Sequence, residues 1–220
     1  MGRTIVAALL LGLGLGHPAA AHMVWLERDG TTVLLFFGEP AENLRERSGG
    51  ALDRIASPRL VGSDATAVRG ADHVAFSPVT GPDVRATEDG LAPRDDRQNG
   101  GRTRTVFLAR EGRSDPATAM ELELAPAEPG GTTFTLTFRG QKLPKTEIDL
   151  IGPPGWSKTL RTDAEGRVTL PLPWSGRYVA EVQHQADSAG GSGPGAYDRT
   201  RYVSTLSFVV TGGIPWPPSR

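Results

Sequence analysis

The chain has 220 residues, which is enough for one large or two small domains with hydrophobic cores. It carries 24 basic and 25 acidic side chains, so its composition gives no electrostatic basis for binding nucleic acid or an anionic membrane surface. The chain has no cysteine, which excludes disulfides, zinc–thiolate sites and thiol catalysis. Any bound metal ion must therefore have nitrogen and oxygen ligands.

The first 21 residues have the pattern of a secretory signal peptide. Arg3 precedes an apolar run over residues 5–15, and Ala19 and Ala21 form an A-x-A cleavage site. We expect cleavage after Ala21, so the mature protein is predicted to be periplasmic or secreted. No later stretch approaches the ~18 apolar residues that a spanning helix needs, so we expect no membrane insertion after cleavage.

Cleavage at this position would make His22 the first residue of the mature chain. Its α-amine and its imidazole would then be able to chelate one divalent ion, because a metal displaces protons from both nitrogens at neutral pH at modest cost. The alternative is that the histidine stands there by chance, since cleavage sites tolerate almost any residue at the new terminus.

The segments after the leader predict short β-strands separated by turn residues. Residues 22–28 and 32–37 predict a hairpin around Gly30, and residues 41–47 predict a short helix. The polar segment 89–102 predicts an exposed loop rather than a site. Further strands of the N-terminal half are predicted at residues 59–61, 65–69, 73–77, 84–87, 103–110 and 119–125.

A break rich in proline and glycine at residues 126–131 predicts a domain boundary. We predict an N-terminal β-rich domain at residues 22–126, a C-terminal β-sandwich domain at residues 127–211 and a proline-rich tail at residues 212–220. Strands at this close spacing, with turn residues between them, favour an all-β fold of two sandwich units over βαβ units. Strands of the C-terminal half are predicted at residues 132–139, 146–151, 158–161, 167–170, 177–184 and 201–210.

Three segments of the C-terminal half follow one another at short spacing. They are GQKLPKTEIDLI at residues 140–151, TDAEGRVTL at residues 162–170 and GRYVAEV at residues 176–182. Together they resemble the small sandwich modules known as carboxypeptidase regulatory-like or prealbumin-like domains. The resemblance implies an immunoglobulin-like or prealbumin-like architecture and no particular chemistry.

Two further motifs stand near the two ends of the predicted mature chain. Ala21 and His22 run into VWLE at residues 24–27, and QH at residues 183–184 is followed, after a glycine-rich loop, by YDRTRYVSTLSF at residues 197–208. These motifs resemble an exported bacterial domain-of-unknown-function family that is grouped with the periplasmic components of nickel and cobalt uptake systems. The resemblance implies metal handling, with His22 and the histidine of the QH motif as candidate ligands.

Three histidines remain after the predicted leader: His22, His73 and His184. His184 lies at a predicted strand end beside the glycine-rich loop, where it is either a ligand or a cap on the core edge. His73 alternates with Val74 and Phe76, so it is either a ligand or an exposed side chain. The amine and imidazole of His22 with one further imidazole would form a histidine brace, a three-nitrogen set that suits copper(II) or nickel(II).

We therefore expect a non-enzymatic, periplasmic accessory protein that binds a transition metal ion (nickel, cobalt or copper) and has a membrane transporter subunit as its partner. One alternative is a sandwich scaffolding or adhesion protein that binds a membrane partner through an exposed edge. Another is a copper histidine-brace oxidoreductase, although the flat aromatic face that such enzymes need is not evident. The sequence has no G-x-S-x-G, phosphate-loop or H-E-x-x-H motif to support a hydrolase or a nucleotide-binding protein.

Overall fold

The computed structural model describes residues 22–97, 99–153 and 155–216. The predicted signal peptide at residues 1–21 and the last four residues of the predicted tail lie outside the described residues. Regular structure in the described part is β-strand apart from three short 3-10 helices, at Pro40–Glu42, Ala51–Arg54 and Gly193–Gly195. The predicted all-β fold is confirmed.

Seventeen strands run through the described residues. In chain order they are β1 (Met23–Asp29), β2 (Thr32–Glu39), β3 (Leu44–Arg45), β4 (Arg59–Leu60), β5 (Ala67–Arg69), β6 (Val74–Phe76), β7 (Val84–Glu88), β8 (Arg94–Asp95), β9 (Arg102–Glu111), β10 (Leu122–Pro126), β11 (Thr133–Phe138), β12 (Gln141–Lys142), β13 (Glu147–Ile151), β14 (Ser157–Arg161), β15 (Arg167–Thr169), β16 (Gly176–Ala186) and β17 (Arg199–Val210).

An eight-stranded central sheet forms the middle of the molecule. Its strand order is β14-β13-β16-β17-β9-β7-β4, and the short strand β8 pairs with β9. Strands β17 and β9 run parallel, whereas β16 and β17 form a long antiparallel pair from Gly176 opposite Val210 to Ala186 opposite Thr200. The other two sheets are smaller: β1-β2-β6-β5 with β3 on β2, and β10-β11-β12 with β15 on β11.

The central sheet has a hydrophobic core on each of its two faces. Along β9, Phe107 and Ala109 belong to a first core shared with the β1–β2 sheet, and Val106 and Leu108 belong to a second core shared with the β10–β11 sheet. Successive side chains of a strand point to opposite faces, so a strand that is buried on both faces reads as a continuous apolar run. This arrangement explains the unbroken apolar run at residues 106–109.

The free backbone edge of strand β1 packs against the face of the central sheet. It is the terminal strand of its own sheet, and its outward backbone carbonyls accept hydrogen bonds from side chains of β17. Thr205 Oγ1 donates to the Val24 carbonyl at 2.8 Å, and Ser207 Oγ donates to the Leu26 carbonyl at 2.5 Å. Both hydroxyls belong to buried residues. The exposed edge that would otherwise be open to another strand is therefore covered within the chain.

The predicted boundary after residue 126 falls between two paired strands. Strand β10 ends at Pro126, which pairs with Phe134 of β11. The central sheet also takes β4, β7, β8 and β9 from one side of this boundary and β13, β14, β16 and β17 from the other. The division into two domains stays a prediction about folding units, while the sheet itself is continuous across it.

The predicted helix at residues 41–47 is wrong. A single 3-10 turn, Pro40–Glu42, is followed by Asn43 in the left-handed region at φ 52°, and the chain then returns as β3 beside β2. Leu44 is the only large apolar residue of this segment, and 39% of its surface is exposed. A surface helix is stabilised mainly by burying an apolar face, and a single apolar residue does not form one. The conformation of this segment is therefore determined by its pairing with β2.

We expect Ser207→Ala to lower the free energy of unfolding by about 1–3 kcal/mol, because the buried Leu26 carbonyl loses its donor. Chemical denaturation measures this change. Ser192→Ala removes the same hydroxyl from an exposed loop residue and should change stability by less than about 0.5 kcal/mol. Equal effects of the two substitutions would show that the edge contact contributes nothing.

Candidate functional site

His22 lies immediately before β1, with 32% of its side chain exposed. Its ring contacts Phe37 of β2 at a centroid distance of 5.2 Å, and Phe37 in turn contacts Phe107 of the central sheet at 5.7 Å. Both phenylalanines are almost fully buried. The histidine ring therefore rests on the edge of the first core and has a fixed support.

Two carboxylates hold the ring of His22 at its two nitrogens. Nδ1 lies 3.1 Å from Oε1 of Glu39, and Nε2 lies 2.5 Å from Oε1 of Glu46. The contact at Nε2 is a hydrogen bond, whereas Nδ1 and Glu39 lie within ion-pair distance of each other. In this arrangement the ring cannot rotate without losing a charge-assisted hydrogen bond.

The chain reversal after β2 places these carboxylates. Glu39 is the last residue of β2, and Glu46 follows β3, where its backbone N–H donates to the Phe37 carbonyl at 2.8 Å. Neither residue was predicted from the sequence. The predicted hairpin contained a signal for the first, because Met23 pairs with Gly38 and the next residue on each strand is His22 and Glu39. The second was hidden by the helix predicted at residues 41–47.

The structure does not bring the other two histidines to His22. His73 contacts Phe36 at 5.8 Å and Oδ1 of Asp72 through Nδ1 at 2.8 Å. Phe36 and Phe37 are successive strand residues and face opposite sides, so His73 and His22 lie on opposite faces of β2. The predicted brace with His73 as the second imidazole is therefore not formed.

His184 lies on the far side of the central sheet from His22. It pairs with Tyr202 across β16 and β17, and its ring contacts Phe138 of β11 at a centroid distance of 4.4 Å, with the two ring planes tilted by 50°. Burial lowers the pKa of His184, and the positive charge of Arg139 lowers it further. The residue fits the structural alternative, a cap on the edge of the second core, and cannot share an ion with His22 in this arrangement.

Side chains alone do not form a metal centre in the described residues. No group of three or more histidine, aspartate or glutamate side chains there is arranged to hold one ion. Around His22 the reason is geometric, because Glu39 and Glu46 contact opposite nitrogens of the ring and so do not converge on one point. A metal at this place requires a further donor, which the predicted α-amine of His22 would supply.

A cleft of about 630 Å³ opens beside His22 on the first-core face of the central sheet. Phe107 and Val203 form part of its apolar floor, and Arg54, Arg94 and Arg201 line it as well. Arg94 belongs to β8, inside the segment that the sequence predicted as an exposed loop without a site. Because β8 pairs with β9, this segment lies beside the cleft and contributes to its lining. Sequence patterns did not indicate this pairing.

A second cleft, also of about 630 Å³, lies on the other side of the β1 edge. Trp25, Glu27, Arg45 and Arg177 line it, and Trp216 of the predicted tail reaches it. Glu27 accepts a hydrogen bond from Arg45 at 3.0 Å and lies 3.5 Å from Nε of Arg177. Glu27, Arg45 and Arg177 therefore already pair with one another.

Comparison of the chain with protein-family models, with curated proteins and with solved structures finds no match in any of the three. Among the residues that the structure describes, no helix has the length and apolar character needed to cross a membrane.

The lowered pKa of His184 predicts a loss of stability in acid. The unfolded chain takes up a proton near the ordinary histidine pKa of about 6.5, whereas the folded protein resists protonation until a lower pH. We expect the free energy of unfolding to fall as the pH drops below about 6.5 towards the folded-state pKa. Denaturant titrations should give a smaller loss for His184→Gln than for the parent protein, and identical losses would contradict the prediction.

Proposed function

We propose that the protein is an exported, non-enzymatic accessory protein that binds a transition metal ion at His22 and hands it to a membrane uptake system. The ion is nickel, cobalt or copper, and the partner is a transporter subunit. The observation that carries the proposal is the distance of 3.1 Å between His22 Nδ1 and Glu39 Oε1. The proposal includes export and cleavage before His22, as the leader pattern predicts.

The spacing of these two atoms suits neighbouring ligands of one ion. Nitrogen and carboxylate ligands lie about 2.0–2.2 Å from a first-row divalent ion, so two of them at a right angle are about 3 Å apart. His22 Nδ1 and Glu39 Oε1 have this separation in the structure. Binding of an ion between them would require little movement of either side chain.

The α-amine of a processed His22 would complete a three-donor set with Nδ1 and Glu39. The amine and the imidazole belong to one residue, so they form a chelate that needs no second histidine. A set of two nitrogens and one carboxylate oxygen is suited to copper(II) and nickel(II), and the Irving–Williams order gives copper the higher affinity. This set replaces the second imidazole that the sequence predicted from His73 or His184.

Glu46 would orient the ligand without touching the ion. A histidine that binds metal through one nitrogen commonly donates its other N–H to a carboxylate, which fixes the ring and makes the ligand more basic. Nε2 of His22 already has such a partner in Glu46 at 2.5 Å. The metal would then sit on the Nδ1 side of the ring, where the amine of the same residue is within reach.

Calorimetric titration of copper(II), nickel(II) and cobalt(II) tests the proposal. The protein that begins at His22 should bind at least about tenfold more tightly than the same protein with its α-amine acetylated, because acetylation removes the amine donor and leaves the side chains unchanged. Equal, weak binding by the two versions would remove the metal-binding function and favour the scaffolding alternative.

Substitutions assign the remaining ligand. Glu39→Gln should weaken binding by about 10–100-fold, whereas Glu42→Gln, which removes the same charge from an exposed position in the same chain reversal, should have no effect. His73→Gln and His184→Gln should also leave affinity unchanged, since neither ring lies near His22. A large loss with either histidine variant would instead support the three-nitrogen brace.

A further inference from the structure

The cleft beside His22 has arginines that lack acidic partners. Among the described residues, no carboxylate lies within 4.0 Å of the guanidinium of Arg54 or Arg94. The guanidinium of Arg54 stands 5.6 Å from the ring centroid of Phe37. Partial burial and the nearby charge of Arg94 lower the pKa of Arg54, and Glu46 opposes this effect. Two cations that repel each other at a cleft favour an anion between them.

A third arginine of the cleft, Arg201, also has a neutral partner. Its Nε and Nη2 donate to Oε1 of Gln183 at 3.2 and 2.6 Å, and no carboxylate is within 4.0 Å of it among the described residues. The amide fixes the guanidinium in place without neutralising its charge. Arg201 also interacts electrostatically with Glu181, so only part of its positive charge is available to a molecule bound in the cleft.

Two aspartates also line the cleft, but both face arginines outside it. Asp95 lies 3.7 Å from Nε of Arg102. Asp96 lies 3.8 Å from Nη1 of Arg199 and accepts a hydrogen bond from the backbone N–H of Asn99 at 3.0 Å. These pairs leave the net charge of the cleft positive.

The floor of the cleft suits the carbon skeleton of an organic molecule. Phe37, Phe107 and Val203 are buried beneath it, and Leu91 packs against the same core. The volume of about 630 Å³ lies within the range of small-molecule sites, which combine an apolar lining with a few fixed polar groups. Thr105 adds a hydroxyl on the same surface.

From these contacts we propose that the cleft binds a small organic anion that carries carboxylate or phosphate groups. The acidic groups pair with Arg54, Arg94 and Arg201, and the carbon skeleton lies on Leu91 and the exposed part of Phe107. Guanidinium groups recognise both kinds of oxyanion through paired N–H donors. This site is separate from the proposed metal centre and does not depend on it, although His22 borders both.

Calorimetry on the protein that begins at His22, passed over a chelating resin to remove metal, tests the proposal with four probes. Citrate supplies carboxylates, glycerol 3-phosphate supplies a phosphate ester, inorganic phosphate lacks a carbon skeleton, and glycerol lacks charge. We expect citrate or glycerol 3-phosphate to bind, which also identifies the acidic group, and to bind more tightly than inorganic phosphate or glycerol. Binding of neither organic anion, or equal binding of inorganic phosphate, would overturn the proposal.

Variants then locate the site. Arg54→Gln and Arg94→Gln should each weaken binding of the organic anion by about tenfold. Arg161→Gln removes the same charge from an exposed position on β14, outside the cleft, and should have no effect. Equal weakening by Arg161→Gln, or none by the two cleft variants, would show that binding is not in this cleft. The copper affinity of Arg54→Gln should match that of the parent protein. Failure of the anion-binding proposal can therefore be distinguished from failure of the metal-binding proposal.

Discussion

The docking of the β1 edge onto the middle of the central sheet is the constraint on which the rest of the structure depends. Two buried hydroxyls of β17, at Thr205 and Ser207, satisfy carbonyls of β1 that would otherwise be buried without a donor. The contact closes an exposed strand edge and leaves one cleft on each side of it. His22, the residue before β1, is thereby fixed at the border of one of these clefts.

A buried ion cluster joins the central sheet to the other core. Arg110 of β9 is fully buried, where it donates to Glu123 at 2.7 Å and also pairs with Asp83. Glu123 accepts further hydrogen bonds from Arg85 and from the backbone N–H of Met120. Removing one member would leave an uncompensated buried charge, which costs far more than a surface pair. The cluster therefore has a structural role, because it holds the β10–β11 sheet against the central sheet. Each of its charges is compensated by an opposite charge inside the protein.

The candidate site differs from this cluster because its charges are only partly compensated by opposite charges within the protein. Around His22, two carboxylates contact one imidazole, and in the adjoining cleft three arginines have no carboxylate within 4.0 Å among the described residues. A group whose charge is compensated inside the protein contributes to folding, whereas a group held in place but left uncompensated can bind a ligand. The same surface thus holds the proposed cation site at one end and the proposed anion site beside it.

The sequence by itself determined the local features of this protein. The alternation of apolar residues indicated most of the strands, the lack of cysteine restricted any metal to nitrogen and oxygen ligands, and Gly30 between two apolar segments indicated the β1–β2 hairpin. Only the tertiary structure decided the parallel pairing of β9 with β17, the return of the chain as β3, and the placement of His73 and His184 on surfaces away from His22. The physical reason for this difference is that the alternation of side chains along a strand is a local property of consecutive residues. The pairing partner of a strand, and the face that it buries, depend on contacts between residues far apart in the chain.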